Sequence, residues 1–303
     1  MKSAFCIALA LAAVASAQAA DADDPLTRPI KTSSTDKWNG AQKPMRIYGD
    51  TYYVGVAGLS SVLIHGDKGS ILLDGDLPQS ASEIEAHIRE LGFKVEDIKL
   101  ILNSHAHFDH AGGIAALQRD SGADVAASPS GAQGLRAGRV VADDPQAGFS
   151  DNGFPAVARV REVRDGETVR VDDLTVTAHF TPGHTPGSTT WTWRSCEDAR
   201  CLDVVYGDSL NAFAAPGFHY LADATHQDLT PRFRASIRKV AELPCDILIS
   251  VHPDVAGVDE KLKKLDNGGE MNPFIDPMAC RAYANGYEKL LDARIEEEKK
   301  AAR

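Results

Sequence analysis

The sequence has no apolar run long enough to cross a bilayer, no cluster of Lys and Arg, no CxxC pair, no repeat of fixed period and no low-complexity tract. Each absence excludes something. A membrane helix needs about 20 predominantly apolar residues, and the stretch Ala4–Val14 falls well short of that. Phosphate-binding surfaces need clustered cations. With 43 acidic against 32 basic side chains and a net charge of −11, the chain is not expected to take a nucleic-acid or membrane partner. Without a CxxC pair, a cysteine-ligated structural zinc is not expected either.

What is present begins with an export signature. Lys2, the apolar run Ala4–Val14 and the small-residue patterns Ala15-Ser-Ala17 and Ala17-Gln-Ala19 read as a secretory signal peptide over residues 1–19. Cys6 precedes most of that run, which argues against a lipoprotein cleavage site. Residues 20–303 are then expected to form one domain, placed in the periplasm. Cys196, Cys201, Cys245 and Cys280 survive processing, and an even count in an exported protein suggests two disulfides. Four cysteines allow three pairings. Cys196 with Cys201 would close a short loop, and Cys245 with Cys280 would pin the last helix.

Strand-like and helix-like segments alternate in both halves. After an extended polar arm over 21–43 come strands at 51–56, 61–64 and 70–74, and a helix over 80–91 capped by Ser80 or Ser82. A strand over 98–102, a helix from Gly113, a strand over 123–127 and a helix over 131–140 follow. Residues 143–154 are rich in Gly, Pro, Asp and Asn and read as a loop long enough to suggest a binding role. Asp165-Gly166 reads as the turn of a hairpin joining 160–163 to 168–171, followed by strands over 174–180, 191–193 and 202–206. A helix starts at Thr230-Pro231, a strand covers 246–250, and a charged helix closes the chain over about 277–301. The expected fold class is α/β, with two mixed sheets packed face to face and helices outside, and loops along one edge of the sandwich.

The richest segment is Asn103-Ser-His-Ala-His-Phe-Asp-His110, which packs His105, His107, Asp109 and His110 into six positions. All four suit a borderline divalent metal such as zinc. Flanked by an apolar strand and Ala111-Gly112-Gly113, the segment reads as a strand-to-helix turn. Such a turn aims side chains at two neighbouring points, as a pair of ions about 3.5–4 Å apart requires. Further ligands must come from elsewhere. His184, in Thr181-Pro-Gly-His-Thr-Pro-Gly187, and His252, in Ser250-Val-His-Pro253, stand just beyond strands where a rigid element hands a side chain to an edge. His87 falls on the buried side of a helix, His179 inside a strand, His65 at a hairpin turn, and His219 and His226 in a loop. None of these five is expected to be a ligand.

These segments resemble the metal-binding motifs of the metallo-β-lactamase superfamily. Ala178–Trp193, Tyr206-Gly-Asp-Ser-Leu210, Leu243–Leu248 and Cys280–Ala284 are similar to its β-lactamase branch of the third subclass, which has histidine in place of cysteine in the second zinc site. The resemblance implies a four-layer αββα sandwich and two zinc ions per chain. It assigns His105, His107 and His184 to one zinc, and Asp109, His110 and His252 to the other. It also implies a Cys245–Cys280 disulfide and a supporting role behind the ligands for Asp74. Other superfamily members bridge their metals with the aspartate of a Gly-Asp-x-Leu motif, which here would be Asp208. In the resembled branch the following serine, Ser209, stands where the cysteine is missing and is not a ligand. Ser209 and Asn211 are the expected substrate contacts.

The implied reaction is opening of the β-lactam amide of penicillins, cephalosporins and carbapenems by a zinc-bound hydroxide, conferring antibiotic resistance. Asp109 would orient the nucleophile and no covalent enzyme intermediate would form. The expected enzyme is a monomer. Two other readings use the same residues: a glyoxalase II-type thioesterase or lactonase, and a non-catalytic periplasmic zinc-binding protein. Ser34-Thr-Asp-Lys37 and Ser150-Asp-Asn152 mimic the SxxK and SDN patterns of serine β-lactamases. Ser34 lies in the polar arm, though, and no Lys-Thr-Gly segment accompanies it.

Overall fold

A computed structural model describes residues 24–224, 226–268 and 271–301. The segment 1–19, expected from the sequence to be a signal peptide, lies outside the described residues. Elements in chain order are α1 (Thr35–Trp38), β1 (Met45–Tyr48), β2 (Thr51–Tyr53), β3 (Val62–Gly66), β4 (Gly69–Leu73), α2 (Ala81–Glu90), β5 (Ile98–Leu102), α3 (Phe108–Ala111), α4 (Ile114–Ser121), β6 (Asp124–Ala127) and α5 (Pro129–Ala137). They continue with β7 (Arg161–Glu162), β8 (Thr168–Val171), β9 (Leu174–Phe180), β10 (Thr189–Glu197), β11 (Arg200–Gly207), α6 (Thr230–Glu242), β12 (Ile247–Ser250), α7 (Val258–Asp266) and α8 (Ala279–Ala301).

The layers follow from strand periodicity. Alternate strand residues face opposite sides of a sheet. Ile71, Leu73, Leu100 and Leu102 point into a core shared with Val204, Tyr206, Ile247 and Ile249 of the second sheet. Their neighbours Leu72 and Ile101 point the other way, onto Ile84 and Ile88 of α2, Leu117 of α4 and Leu135 of α5. In the second sheet, Val205 and Leu248 face outward onto Phe233 and Ile237 of α6 and Tyr283, Tyr287 and Leu291 of α8. Strands buried on both faces explain why these runs are almost wholly apolar. The result is a four-layer αββα sandwich, as the resemblance implied.

The first sheet has the order β1-β2-β3-β4-β5-β6-β7, antiparallel up to β4 and parallel beyond it. The second has the order β12-β11-β10-β9-β8, with only β11 and β12 parallel. Within each sheet the strands that precede the predicted site residues share a direction: β4 and β5 in one, β9, β11 and β12 in the other. Their C-terminal ends gather at one edge of the sandwich.

Some expectations need correction. The hairpin across Asp165-Gly166 does not form, because β7 pairs parallel with β6 in the first sheet while β8 belongs to the second. The turn is real, with Gly166 at φ +77°, but it carries the chain from one sheet to the other. Gly166 N–H donates to Ala178 O, and Ala178 N–H to Glu167 O. The polar arm is not wholly extended, since α1 interrupts it. The edge strand β1 and the amphipathic helix α7, which buries Val258 and Leu262, were not anticipated either. Both disulfides form as Cys196–Cys201 and Cys245–Cys280. The first links directly opposed residues of β10 and β11; the second ties the segment before β12 to the start of α8. No helix among the described residues is long and apolar enough to cross a membrane.

Candidate metal centre

The segment after β5 is shaped by a buried carboxylate. Asp74, just beyond β4, accepts hydrogen bonds from Ser104 N–H (2.7 Å), Ser104 Oγ (2.6 Å), Asn103 Nδ2 (3.0 Å) and Tyr206 Oη (3.0 Å). Asn103 Nδ2 also donates to His105 O at 2.8 Å, and Trp191 Nε1 donates to Asn103 O. Asp74 and the neighbouring Asp76 both have left-handed backbone, with φ +58° and +53°, a conformation Asp tolerates better than most residues. Gly75 lies between them because a Cβ there would come within 2.7 Å of Ile114 N. The turn expected over the whole motif holds only as far as His107. Asp109 and His110 lie on α3, whose first turn closes through Ala111 N–H to His107 O (2.8 Å).

His105, His107 and His184 form the first donor group, with one ring nitrogen from each inside a 4.8 Å cluster. Each ring is tied from behind. His105 Nδ1 meets Asp208 Oδ1 at 2.7 Å, His184 Nδ1 meets Asn211 O at 2.8 Å, and His107 Nε2 meets both Asp144 oxygens at 3.2 Å. A neutral imidazole has one N–H and one lone pair. An acceptor on the outer nitrogen therefore leaves His105 Nε2, His184 Nε2 and His107 Nδ1 with lone pairs facing inward. His105 Nε2 is buried and has no hydrogen-bond partner. His184 reaches the cluster because Gly183 packs on α6, where a Cβ would fall 2.0 Å from Phe233.

Asp109, His110 and His252 form the second group. His110 Nε2 and His252 Nε2 are 3.2 Å apart, and Asp109 Oδ2 lies 3.4 Å from the former and 3.5 Å from the latter. Two ligand atoms roughly 2.0–2.1 Å from a tetrahedral zinc are separated by about 3.3–3.4 Å. The triangle has the dimensions that such an ion requires. The groups are adjacent: the His105 and His110 ring centroids are 4.4 Å apart.

Electrostatics favour the same occupant. Burial takes His105 and His110 well below the usual imidazole range, and His184 to about 4. Burial pushes Asp109 up, but His110, His252 and His107 outweigh it and hold the carboxyl below its ordinary value. His107 is the exception. Burial lowers it, but the hydrogen bond and charge of Asp144 raise it above the usual value. Neutral imidazoles beside an ionised carboxylate are the donor set a divalent cation takes.

The remaining predicted residues lie beside these donor groups. Asn211 is exposed beside His184. Ser209 is buried behind it, its Oγ accepting the Asn211 N–H at 3.3 Å. Of the histidines not expected to be ligands, four have partners outside the two donor groups: His87 Nδ1 meets Val54 O, His179 meets Thr192 Oγ1, His65 stacks on Phe93 and His226 on Phe218. Three neighbours were not foreseen as parts of the site. Asp208, considered above only as a bridging ligand, meets the outer nitrogen of His105. Asp144 was anonymous within a polar loop. Trp38 sits on the arm, yet its ring tilts over His252 at 5.5 Å and near Phe108 at 6.3 Å. The Gly-Asp-Ser-Leu motif was a signal for Asp208. No local pattern marked the other two.

The fold and the donor set define a class. A family model of the metallo-beta-lactamase superfamily matches residues 54–252, and the chain belongs to that superfamily. More particularly, it is similar to solved metallo-beta-lactamases. The Rm3 metallo-beta-lactamase is 48% identical, with 89% of this chain and 100% of that one covered and a TM-score of 0.85. MEM-A1, a subclass B3 metallo-beta-lactamase isolated from a soil metagenome library, is 48% identical over 87% and 99% of the two chains, with a TM-score of 0.83. Among curated proteins, the hydroxyacylglutathione hydrolase of Rhodopseudomonas palustris is 27% identical over 221 residues, 68% of this chain and 72% of that one. The lactamase-like protein aptB of Emericella nidulans is 27% identical over 162 residues, and the match spans 42% of its length.

Proposed function

We propose that this chain is an exported, monomeric, zinc-dependent β-lactamase of subclass B3 that hydrolyses the β-lactam amide of penicillins, cephalosporins and carbapenems. The observation that carries the reading is the convergence of six donors in two adjacent groups: three histidine nitrogens within 4.8 Å of one another, and a triangle of Asp109, His110 and His252 with zinc-like distances. Similarity at 48% identity to metallo-beta-lactamases over almost their whole length supports the choice of substrate.

His105, His107 and His184 would hold one zinc, and Asp109, His110 and His252 the other. When bound, such a pair supplies Lewis acidity that polarises a carbonyl and brings a coordinated water to a pKa of about 7. The chain's own residues do the positioning. Asp208, Asp144 and the Asn211 carbonyl fix the three first-group rings. Asp74 fixes the turn that carries two of them. Ionised Asp109, set between His110 and His252, orients the nucleophile at the second group. Asn211, at the mouth beside His184, contacts the substrate with Ser209 behind it. The loop over 143–154 shapes substrate preference.

The test is hydrolysis of nitrocefin and a carbapenem by the purified mature chain, abolished by a chelator and restored by zinc. A second reading, a thioesterase of the glyoxalase II type, is favoured by the similarity to hydroxyacylglutathione hydrolases. A glutathione thioester and an acyl-homoserine lactone therefore belong in the same assay. Cleavage of either of these, with the β-lactams untouched, would sink the β-lactamase reading. A two-zinc protein that turns over none of them would be a zinc-binding protein.

A further inference from the structure

We propose that Asp144 is a positioning residue of the three-histidine group, so that the loop between α5 and β7 is part of the metal centre and not only a wall beside the substrate. The inference rests on the reading that His105, His107 and His184 hold a zinc.

The loop is closed at its neck and internally fixed. Phe154 N–H donates to Gly138 O at 2.9 Å, and Arg139 and Gly153 form an antiparallel bridge. Inside it, Asp144 N–H donates to Val141 O, Ala147 N–H donates to Asp144 O, and the Asp144 carboxylate accepts the Gln146 N–H at 2.7 Å. That last bond is an Asx-type turn, which locks the side chain against its own backbone. A second loop clasps the first: Ala215 N–H donates to Pro145 O at 2.9 Å, and Phe149 stacks on Phe213 with centroids 5.6 Å apart. The carboxylate is thus delivered to His107 by an ordered support.

Its environment makes the pairing strong. The Asp144 side chain is 3% exposed and the His107 side chain 6%. Both carboxylate oxygens lie 3.2 Å from His107 Nε2. No Lys or Arg pairs with Asp144 among the described residues, so its partners are the His107 ring and the Gln146 N–H. A buried carboxylate on the outer nitrogen keeps the proton on Nε2 and the lone pair on Nδ1, fixes the ring plane, and raises the basicity of the donor atom. His105 and His184 receive the same support from Asp208 and Asn211, both just beyond β11. Asp144 alone comes from a separate excursion of the chain. Sequence change in that loop would therefore alter metal affinity as well as substrate choice.

The experiment is stepwise zinc titration of the mature protein against a chromophoric chelator, with Asp144→Ala, Asp144→Asn and the exposed neighbour Asp143→Asn. Spectra of cobalt-substituted samples identify which group loses its ion. We expect Asp144→Ala to weaken the three-histidine site by about 10–100-fold, the range for loss of an outer hydrogen-bond partner. Asp144→Asn, whose amide oxygen still accepts from Nε2–H, should fall between Ala and wild type. Asp143→Asn should match wild type, and the second site should keep its affinity throughout. Unchanged zinc affinity in both Asp144 variants would overturn the proposal while leaving the functional reading intact. A drop in coordination number at the zinc, seen by X-ray absorption in both variants, would overturn it differently, by making Asp144 a ligand. A wild-type chain that binds no zinc would overturn the reading of the site itself.

Discussion

The two donor groups are built from the same kinds of residue but are held to different degrees. In the group of His105, His107 and His184, every ring has an acceptor on its outer nitrogen at 2.7–3.2 Å. In the group of Asp109, His110 and His252, the nearest acid to His110 Nδ1 is Asp74 at 3.9 Å, and that nitrogen has no hydrogen-bond partner. His252 Nδ1 meets Gly58 O only at 3.4 Å, and its side chain is 22% exposed. A ligand whose rotamer is already fixed gives up less freedom on binding metal. The first group is therefore preorganised, and the second would rely more on an ion to complete it.

The largest effect expected from this difference is the loss of a ligand in the anchored group. His184→Ala should weaken first-site zinc by more than the roughly 10–100-fold that removal of an outer partner costs, and β-lactam turnover should fall with it. If turnover survives, the three-histidine ion is not needed for the chemistry and the comparison loses its functional meaning. Next in size is Asp208→Ala, expected to weaken the same site by about 10–100-fold and to leave the second unchanged. Equal weakening of both sites, measured by stepwise chelator competition, would erase the distinction between them. Graded chelation of the wild type offers a test without substitutions. Native mass spectrometry should catch a one-zinc species in which the three-histidine site is still filled. Simultaneous loss of both ions would mean that the outer hydrogen bonds do not set the order of release.

The same contrast explains what the sequence made legible. The layers and the strands β4, β5, β6 and β12 could be read because apolar runs buried on both faces leave a strong local pattern, and β9 because its apolar and polar residues alternate. The six candidate donors could be picked out because metal-binding chemistry restricts them to His and Asp, and strand ends restrict their place, and the fold brings all six to one edge of the sandwich. The pairing of β7 could not. Asp165-Gly166 is a true turn, but whether a turn makes a hairpin or crosses between sheets depends on what the flanking strands meet in three dimensions. β7 is only two exposed residues long. Helix α7 did carry a signal, with Val258, Leu262 and Leu265 at helical spacing. Asp144 and Trp38 carried none, since a loop aspartate becomes a histidine partner, and an arm tryptophan a wall of the site, only through tertiary folding.

Trp38 supplies the smallest expected effect and the finest test of the looser group. Its ring lies against His252 at 5.5 Å with a 42° tilt, and contacts of this kind contribute about 0.5–1.5 kcal/mol beyond the area they bury. α1 is tied to the molecule by few interactions, among them Gly58 N–H to Trp38 O at 3.0 Å. Gly58, whose carbonyl faces His252 Nδ1, also packs on the indole, where a Cβ would fall 2.9 Å from Trp38 Cδ1, so removing the indole loosens the ring and the backbone that carries its outer acceptor together. Trp38→Ala should therefore weaken second-site zinc several-fold, leave the three-histidine site at wild-type affinity, and barely move the thermal midpoint. Trp38→Phe should recover most of the loss. If Trp38→Ala weakened both sites equally, the arm would be supporting the fold at large and not the second group in particular. If it changed neither affinity, the Gly58 carbonyl would be sufficient to hold His252, and the second group would be better anchored than its distances suggest.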